Sequence, residues 1–78
     1  MINLKKQLQA RLKRATINEE RWYTRYYRLR DFKSDGGCHH WPLARIMIYD
    51  EKIIRASRRL QDSVINQRLI RQEVINCD

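Results

Sequence analysis

The sequence predicts an all-α protein, built as an antiparallel hairpin of two long helices. Among 78 residues there are two adjacent glycines and one proline. An all-β fold would need a turn signal roughly every eight to twelve residues, so this scarcity argues for helices. Apolar side chains also recur at spacings of three and four on both sides of the glycine pair, as in amphipathic helices. We expect a single domain, 1–78, that contains this hairpin.

The first helix is predicted over about 3–34, with Asn3 as a suitable N-cap. The segment Thr16-Ile17-Asn18-Glu19 fits a capping box, which would divide this region into two shorter helices. We favour one continuous helix, because no glycine or proline enforces a stop. The apolar seam also keeps its phase, through Leu8, Leu12, Ala15, Glu19, Trp22, Tyr26 and Leu29.

A loop over about 35–41 and a second helix over about 42–76 follow. Gly36 or Gly37 can take the left-handed conformation that closes a helix, and Pro42 suits the first helical position. Two sets of residues then repeat every seven positions, which is a coiled-coil-like pattern. They are Ile46, Ile53, Leu60, Gln67 and Val74, and Tyr49, Ala56, Ser63, Ile70 and Cys77.

The two helices are expected to pack along these seams, with Trp22, Tyr26 and Leu29 of the first against the start of the second. A lone hairpin gives each helix one neighbour, and small domains are marginally stable. We therefore expect a homodimer that forms a four-helix bundle, or a stable complex with a larger partner. Ile65 and Leu69 lie four residues apart and off the seam, so they are candidates for self-association.

The net charge of +8 is concentrated in the first half of the chain. Residues 1–33 contain ten Lys/Arg and three acids, a net of +7, whereas residues 34–78 contain seven and six, a net of +1. This asymmetry predicts a partner of negative potential: a nucleic acid, an anionic membrane or an acidic protein surface.

A row of basic residues on the first helix is the main functional lead. Its spacings of three and four place it on one side of a helix, over about 25 Å. Tyr23 and Tyr27 are expected on a neighbouring flank, where they could be reached by a ligand. The alternative is a solvated face whose arginine stems cover apolar surface. The row consists of Arg11, Arg14, Asn18, Arg21, Arg25 and Arg28.

No pattern for catalysis or for a cofactor is evident. The sequence lacks a Gly-rich phosphate loop, HExxH and GxSxG, and adjacent acids such as Asp50 and Glu51 diverge by about 100° on a helix. Cys38, His39 and His40 are too close together for an ordinary zinc site. We therefore expect neither an enzyme nor a metal site, and interpret the connector as polar.

The cysteines and the N-terminal region bear on localisation. Cys38 and Cys77 would lie at opposite ends of the second helix, too far apart for a disulfide within the chain. Reduced thiols favour a cytoplasmic protein, and no apolar segment long enough to span a bilayer is present. The first 18 residues are basic and free of acids, as in a mitochondrial transit peptide. They contain no serine, however, and we favour the cytoplasmic interpretation.

Two functional hypotheses follow from these observations. The first is a small non-enzymatic protein that binds nucleic acid through the Arg/Tyr-rich first helix. The second is a protein-binding inhibitor or adaptor, of the kind found in phages or mobile elements, that docks its Arg/Tyr face on an acidic site of a larger enzyme. Attachment to an anionic membrane is a weaker third possibility.

Overall fold

The structure, a computed structural model, describes residues 3–77 and contains two helices that form an antiparallel hairpin. Helix α1 runs over Leu4–Ser34 and helix α2 over Leu43–Asn76. The hairpin is a rod of about 60 × 17 × 16 Å, and no strand occurs within the described part of the chain. The predicted all-α, two-helix fold is thus confirmed.

Helix α1 is continuous through the segment that resembled a capping box. Asn3 caps its start, where the side-chain oxygen accepts a hydrogen bond from the backbone N–H of Lys6 at 3.2 Å. The Thr16 hydroxyl donates to the carbonyl of Leu12, one turn back, at 2.9 Å. Thr16 is therefore accommodated inside the helix by a local hydrogen bond, and the arginine row keeps a constant phase along α1.

The glycine pair ends α1 with a Schellman motif. Gly36 has a φ of +84°, the left-handed conformation that this motif requires. The N–H of Gly37 donates to the carbonyl of Phe32 at 2.9 Å, and the N–H of Gly36 donates to that of Lys33 at 3.1 Å. A Cβ atom at Gly37 would lie 2.6 Å from the Phe32 ring. Pro42 is the N-cap of α2, with an extended ψ of 149°, so the helix begins at Leu43, one residue later than predicted.

The core is a single seam between the helices, and the heptad pattern accounts for its α2 side. The buried side chains of α1 are Leu8 and Ala15, and those of α2 are Tyr49, Ala56, Ser63, Gln67 and Ile70. Alanine and serine at the centre of the seam allow close approach of the two backbones. The buried Ser63 hydroxyl donates to the carbonyl of Leu60 at 2.7 Å, which offsets the loss of its water contacts.

An aromatic cluster closes the loop end of the rod. The rings of Phe32, Trp41 and Tyr49 lie with centroids 5.5 to 5.7 Å apart. The Tyr49 hydroxyl donates to the carbonyl of Leu29 at 2.7 Å, which joins the helices directly. Leu29 therefore contacts Tyr49, as expected. Trp22 of α1 instead faces a position further along α2, near Arg59.

The connector is less polar than the sequence indicated, because Cys38 is buried. Burial raises the pKa of the Tyr49 phenol above its usual value, and the charge of Cys38 acts in the same direction. His39 and His40 are exposed and contact each other with ring centroids 5.0 Å apart. The loop conformation turns the thiol inward and both imidazoles outward.

Candidate functional site

The arginine row of α1, defined above as Arg11 to Arg28 at spacings of three and four, lies on one exposed flank of the rod. All of its side chains are exposed. Asn18 links the two ends of the row, because it lines one surface depression together with Arg11 and Arg14 and another together with Arg21 and Arg25. We call this surface the arginine flank.

The arginine flank has few acidic partners. Arg11 forms an exposed ion pair with Glu73 of α2, with an N–O distance of 3.8 Å. No residue among 3–77 forms an ion pair with Arg14, Arg21, Arg25 or Arg28. Like charges three and four residues apart on a helix repel each other by a few tenths of a kcal/mol per pair. The row therefore holds a concentration of positive charge that the described chain does not neutralise.

An arginine from the second helix joins this flank. The guanidinium carbon of Arg25 lies 5.7 Å from the centroid of the Trp22 ring, and that of Arg59 lies 5.3 Å from the same centroid. Trp22 is half-buried in the seam, so its electron-rich ring holds one cation from each helix. Arg59 was absent from the sequence-based site.

The register of the hairpin explains the position of Arg59. The ion pair between Arg11 and Glu73 fixes two facing positions. Arg25 lies two heptads after Arg11 on α1, and Arg59 lies two heptads before Glu73 on the antiparallel α2. Arg25 and Arg59 therefore face each other across the two helices as Arg11 and Glu73 do, but both of them are cations. Only the register, once known, identifies this pairing.

The surface along the row is a shallow groove of about 820 Å³, open to solvent. Trp22 and Leu29 contribute apolar surface, three arginines of the row contribute positive charge, and Glu20 contributes one carboxylate. Such a groove can hold an extended anionic ligand by its charged groups. It does not enclose a small molecule in the way that catalytic and cofactor pockets do.

Tyr23 and Tyr27 lie on the flank opposite to the arginine row. Two residues along a helix correspond to about 200° of rotation, so Tyr27 points away from Arg25 and Tyr23 away from Arg21. The two tyrosine rings contact each other with centroids 4.5 Å apart, and the Arg30 guanidinium lies 5.6 Å from the Tyr27 ring. Tyr23 is exposed and Tyr27 is half-buried. We call this surface the tyrosine flank; it is not the neighbouring flank that we expected from the sequence.

The candidate self-association residues are accessible. Ile65 and Leu69 are 57% and 61% exposed. They belong to a larger group of exposed apolar side chains on α2, which also includes Leu43, Met47, Ile48, Ile54 and Ile75. The outer surface of α2 is thus more apolar than that of α1, which carries the arginine row.

The remaining candidate ligands do not converge. Cys38 is buried at the loop end, and Cys77 is exposed at the other end of α2. Within residues 3–77 no group of three or more His, Cys, Asp or Glu side chains is arranged to hold a metal ion. The arginine flank therefore carries the functional argument.

No family, curated protein or solved structure that matches this chain was found. None of the helices in the described part of the chain is long and apolar enough to cross a membrane. A helical hairpin is compatible with many functions, so the function is argued below from the charge and geometry of the two flanks.

Proposed function

We propose that this protein is a non-enzymatic nucleic-acid-binding protein that contacts phosphates through the arginine row of α1. The observation that carries the proposal is the set of four exposed arginines, Arg14, Arg21, Arg25 and Arg28, that have no acidic partner among residues 3–77. A guanidinium group matches the geometry of a phosphate through two parallel hydrogen bonds.

The length of the row supports a polymeric anion. The row covers about 25 Å, whereas phosphates along one strand are about 3.4 Å apart. About seven phosphates therefore fit beside it. Such contacts position a nucleic acid without reading its bases, so we expect recognition by charge and shape.

A salt titration tests the proposal. Fluorescence anisotropy would be measured with a labelled 20-nucleotide strand and with the corresponding 20-base-pair duplex, between 50 and 200 mM salt. Four phosphate contacts give a slope in log K against log salt of about −3.6 for the duplex and about −2.8 for the strand, which correspond to losses of about 150-fold and about 50-fold over this range. A change of less than threefold for both ligands would contradict nucleic-acid binding.

A protein-binding role is the second candidate, and the tyrosine flank favours it. The Tyr23 and Tyr27 rings contact each other at a tilt of 43°, with Arg30 beside Tyr27, and tyrosine and arginine are enriched in protein-binding hot spots. In this role the protein would dock on an acidic site of a larger enzyme. Affinity capture from nuclease-treated host lysate separates the candidates. One stoichiometric protein retained after nuclease favours docking, whereas loss of all partners favours nucleic acid.

Self-association through α2 is part of the proposal. Burial of Ile65 and Leu69 against a second copy would complete a four-helix bundle. Sedimentation velocity should report a dimer that is weakened at least tenfold by Ile65→Gln with Leu69→Gln. The control is Leu43→Gln, which changes a residue that is 73% exposed at the other end of α2. Equal weakening by the control would contradict this assignment.

A further inference from the structure

The positive charge of the arginine flank continues from α1 onto α2. Arg25 and Arg59 approach the same Trp22 ring from different helices, and neither forms an ion pair with a described residue. Lys52 precedes Arg59 by one heptad and Arg55 precedes it by four residues, so both share its side of α2. Both are exposed. Between Lys52 and Arg59 the flank thus carries cations on both helices, whereas beyond Arg59 the same side of α2 continues with Asp62, Asn66, Leu69 and Glu73.

Cations on both helices fit two lines of phosphates. The axes of packed helices lie about 8 to 10 Å apart. The two phosphate strands of B-form DNA border grooves about 6 and 12 Å wide, distances of the same order, so cations on two packed helices can contact both strands. A single strand offers one line of phosphates and would leave the cations of one helix without a ligand.

The aromatic side chains of the arginine flank also argue against a single strand. Proteins that bind single strands stack bases on exposed rings. Here the Trp22 ring is covered by two guanidinium groups, and the Phe32 ring packs against Trp41 and Gly37. Tyr23 and Tyr27 belong to the opposite flank. Phe32 is 43% exposed, but both rings on this flank are already in contact with other groups of the protein.

We infer that the ligand is a nucleic-acid duplex that lies across both helices, with Arg59 contacting the phosphate strand opposite the one that the α1 row contacts. The inference rests on the proposed function and names the form of nucleic acid that the same surface takes. Arg59 is thus a binding residue on α2, a helix to which the charge distribution of the sequence assigned little of the basic character.

The test compares Arg59→Gln with Arg71→Gln. Glutamine keeps most of the side-chain stem over Trp22 and removes the charge. Arg71 is an exposed arginine three heptads after Asp50, which pairs with Lys33 on the tyrosine side of the rod. The two variants therefore lose the same charge on opposite flanks. Thermal melting by circular dichroism would confirm that both remain folded.

Binding would be measured for 20-base-pair DNA and RNA duplexes and for their separated strands between 50 and 200 mM salt, and affinities would be compared at the same salt concentration. We expect a duplex to bind at least tenfold more tightly than either of its strands. Arg59→Gln should weaken duplex binding by about five- to twentyfold and reduce the salt slope by about one. Arg59→Gln should change the affinity for single strands less than twofold. Arg71→Gln should change the affinity for every ligand less than twofold. The DNA and RNA arms show which duplex is preferred.

Two results would overturn the inference and leave the proposed function standing. One is salt-dependent binding of single strands that is as tight as duplex binding. The other is an equal effect of Arg59→Gln and Arg71→Gln on the duplex. Absence of salt-dependent binding to every duplex and strand would instead remove the proposed function, and the inference with it.

Discussion

The two flanks of the rod treat their charged side chains differently. On the tyrosine flank, Arg30 lies against the Tyr27 ring and Lys33 pairs with Asp50. On the arginine flank, Arg25 and Arg59 share one indole ring, and neither has an acidic partner in the described chain. Each flank thus has one ion pair and contacts between guanidinium groups and rings, and the arginine flank differs by its longer row of exposed arginines without an acidic partner among residues 3–77, Arg14, Arg21, Arg25 and Arg28.

The difference in pairing distinguishes charged side chains that contribute to stability from those that are available to bind a ligand. A surface ion pair contributes about 0 to 1 kcal/mol to stability, and closely spaced cations reduce stability by a similar amount. Apart from the Arg11–Glu73 ion pair and the contact of Arg25 with Trp22, the fold gains little from the arginine row. An anionic ligand would turn this repulsion into attraction, which is why we assign binding to the arginine flank and not to the helix as a whole.

Charge reversal should give the largest contrast between the flanks. Arg21→Glu with Arg28→Glu replaces two phosphate contacts by repulsion, and we expect duplex affinity to fall at least 100-fold at about 100 mM salt. The matched variant on the tyrosine flank, Arg30→Glu with Arg71→Glu, changes the net charge equally. It should lose less than tenfold, through the long-range field alone. Similar losses in both variants, measured by anisotropy, would mean that net charge and not the flank determines binding.

Removal of the tyrosine pair should affect stability and spare binding. Aromatic pairs contribute about 0.5 to 1.5 kcal/mol beyond the apolar area that they bury. The variant Tyr23→Ala with Tyr27→Ala should therefore lower the free energy of unfolding by about 1 to 2 kcal/mol in urea titrations. Its duplex affinity should stay within twofold of the parent. A tenfold loss of affinity in the folded variant would place these rings in the nucleic-acid site.

The heptad pattern was sufficient to predict the fold and the exposed arginine row. Ala56 and Ser63 are buried where the seven-residue repeat placed them, and Gly36 has the left-handed conformation that a helix end requires. These features follow from local spacing and backbone conformation. The row was predictable for the same reason, because a continuous helix converts spacing directly into direction.

Features that depend on the second helix were harder to predict. The position of Arg59 requires the register between the helices, and this depends on how the loop from Gly36 to Pro42 folds. Burial of Cys38 depends on the same loop conformation. The misplaced tyrosines are a different case, because the rotation between Arg25 and Tyr27 follows from the helix repeat and could have been calculated from the sequence.

Neutralisation of an acid on the arginine flank should produce the smallest effect, with the opposite sign. Asp62 follows Arg59 by three residues and Arg55 by seven, so it shares their side of α2, where it is exposed. Its carboxylate opposes an approaching phosphate and reduces the potential of Arg59. Asp62→Asn should therefore tighten duplex binding by about two- to threefold at about 50 mM salt, and this gain should shrink at 200 mM because salt screens exposed charges. The control is Glu51→Gln on the outer side of α2, which removes the same charge and should change affinity less. A gain from Glu51→Gln equal to that from Asp62→Asn would place the duplex beyond the reach of this part of α2 and shift the contact back to α1 alone.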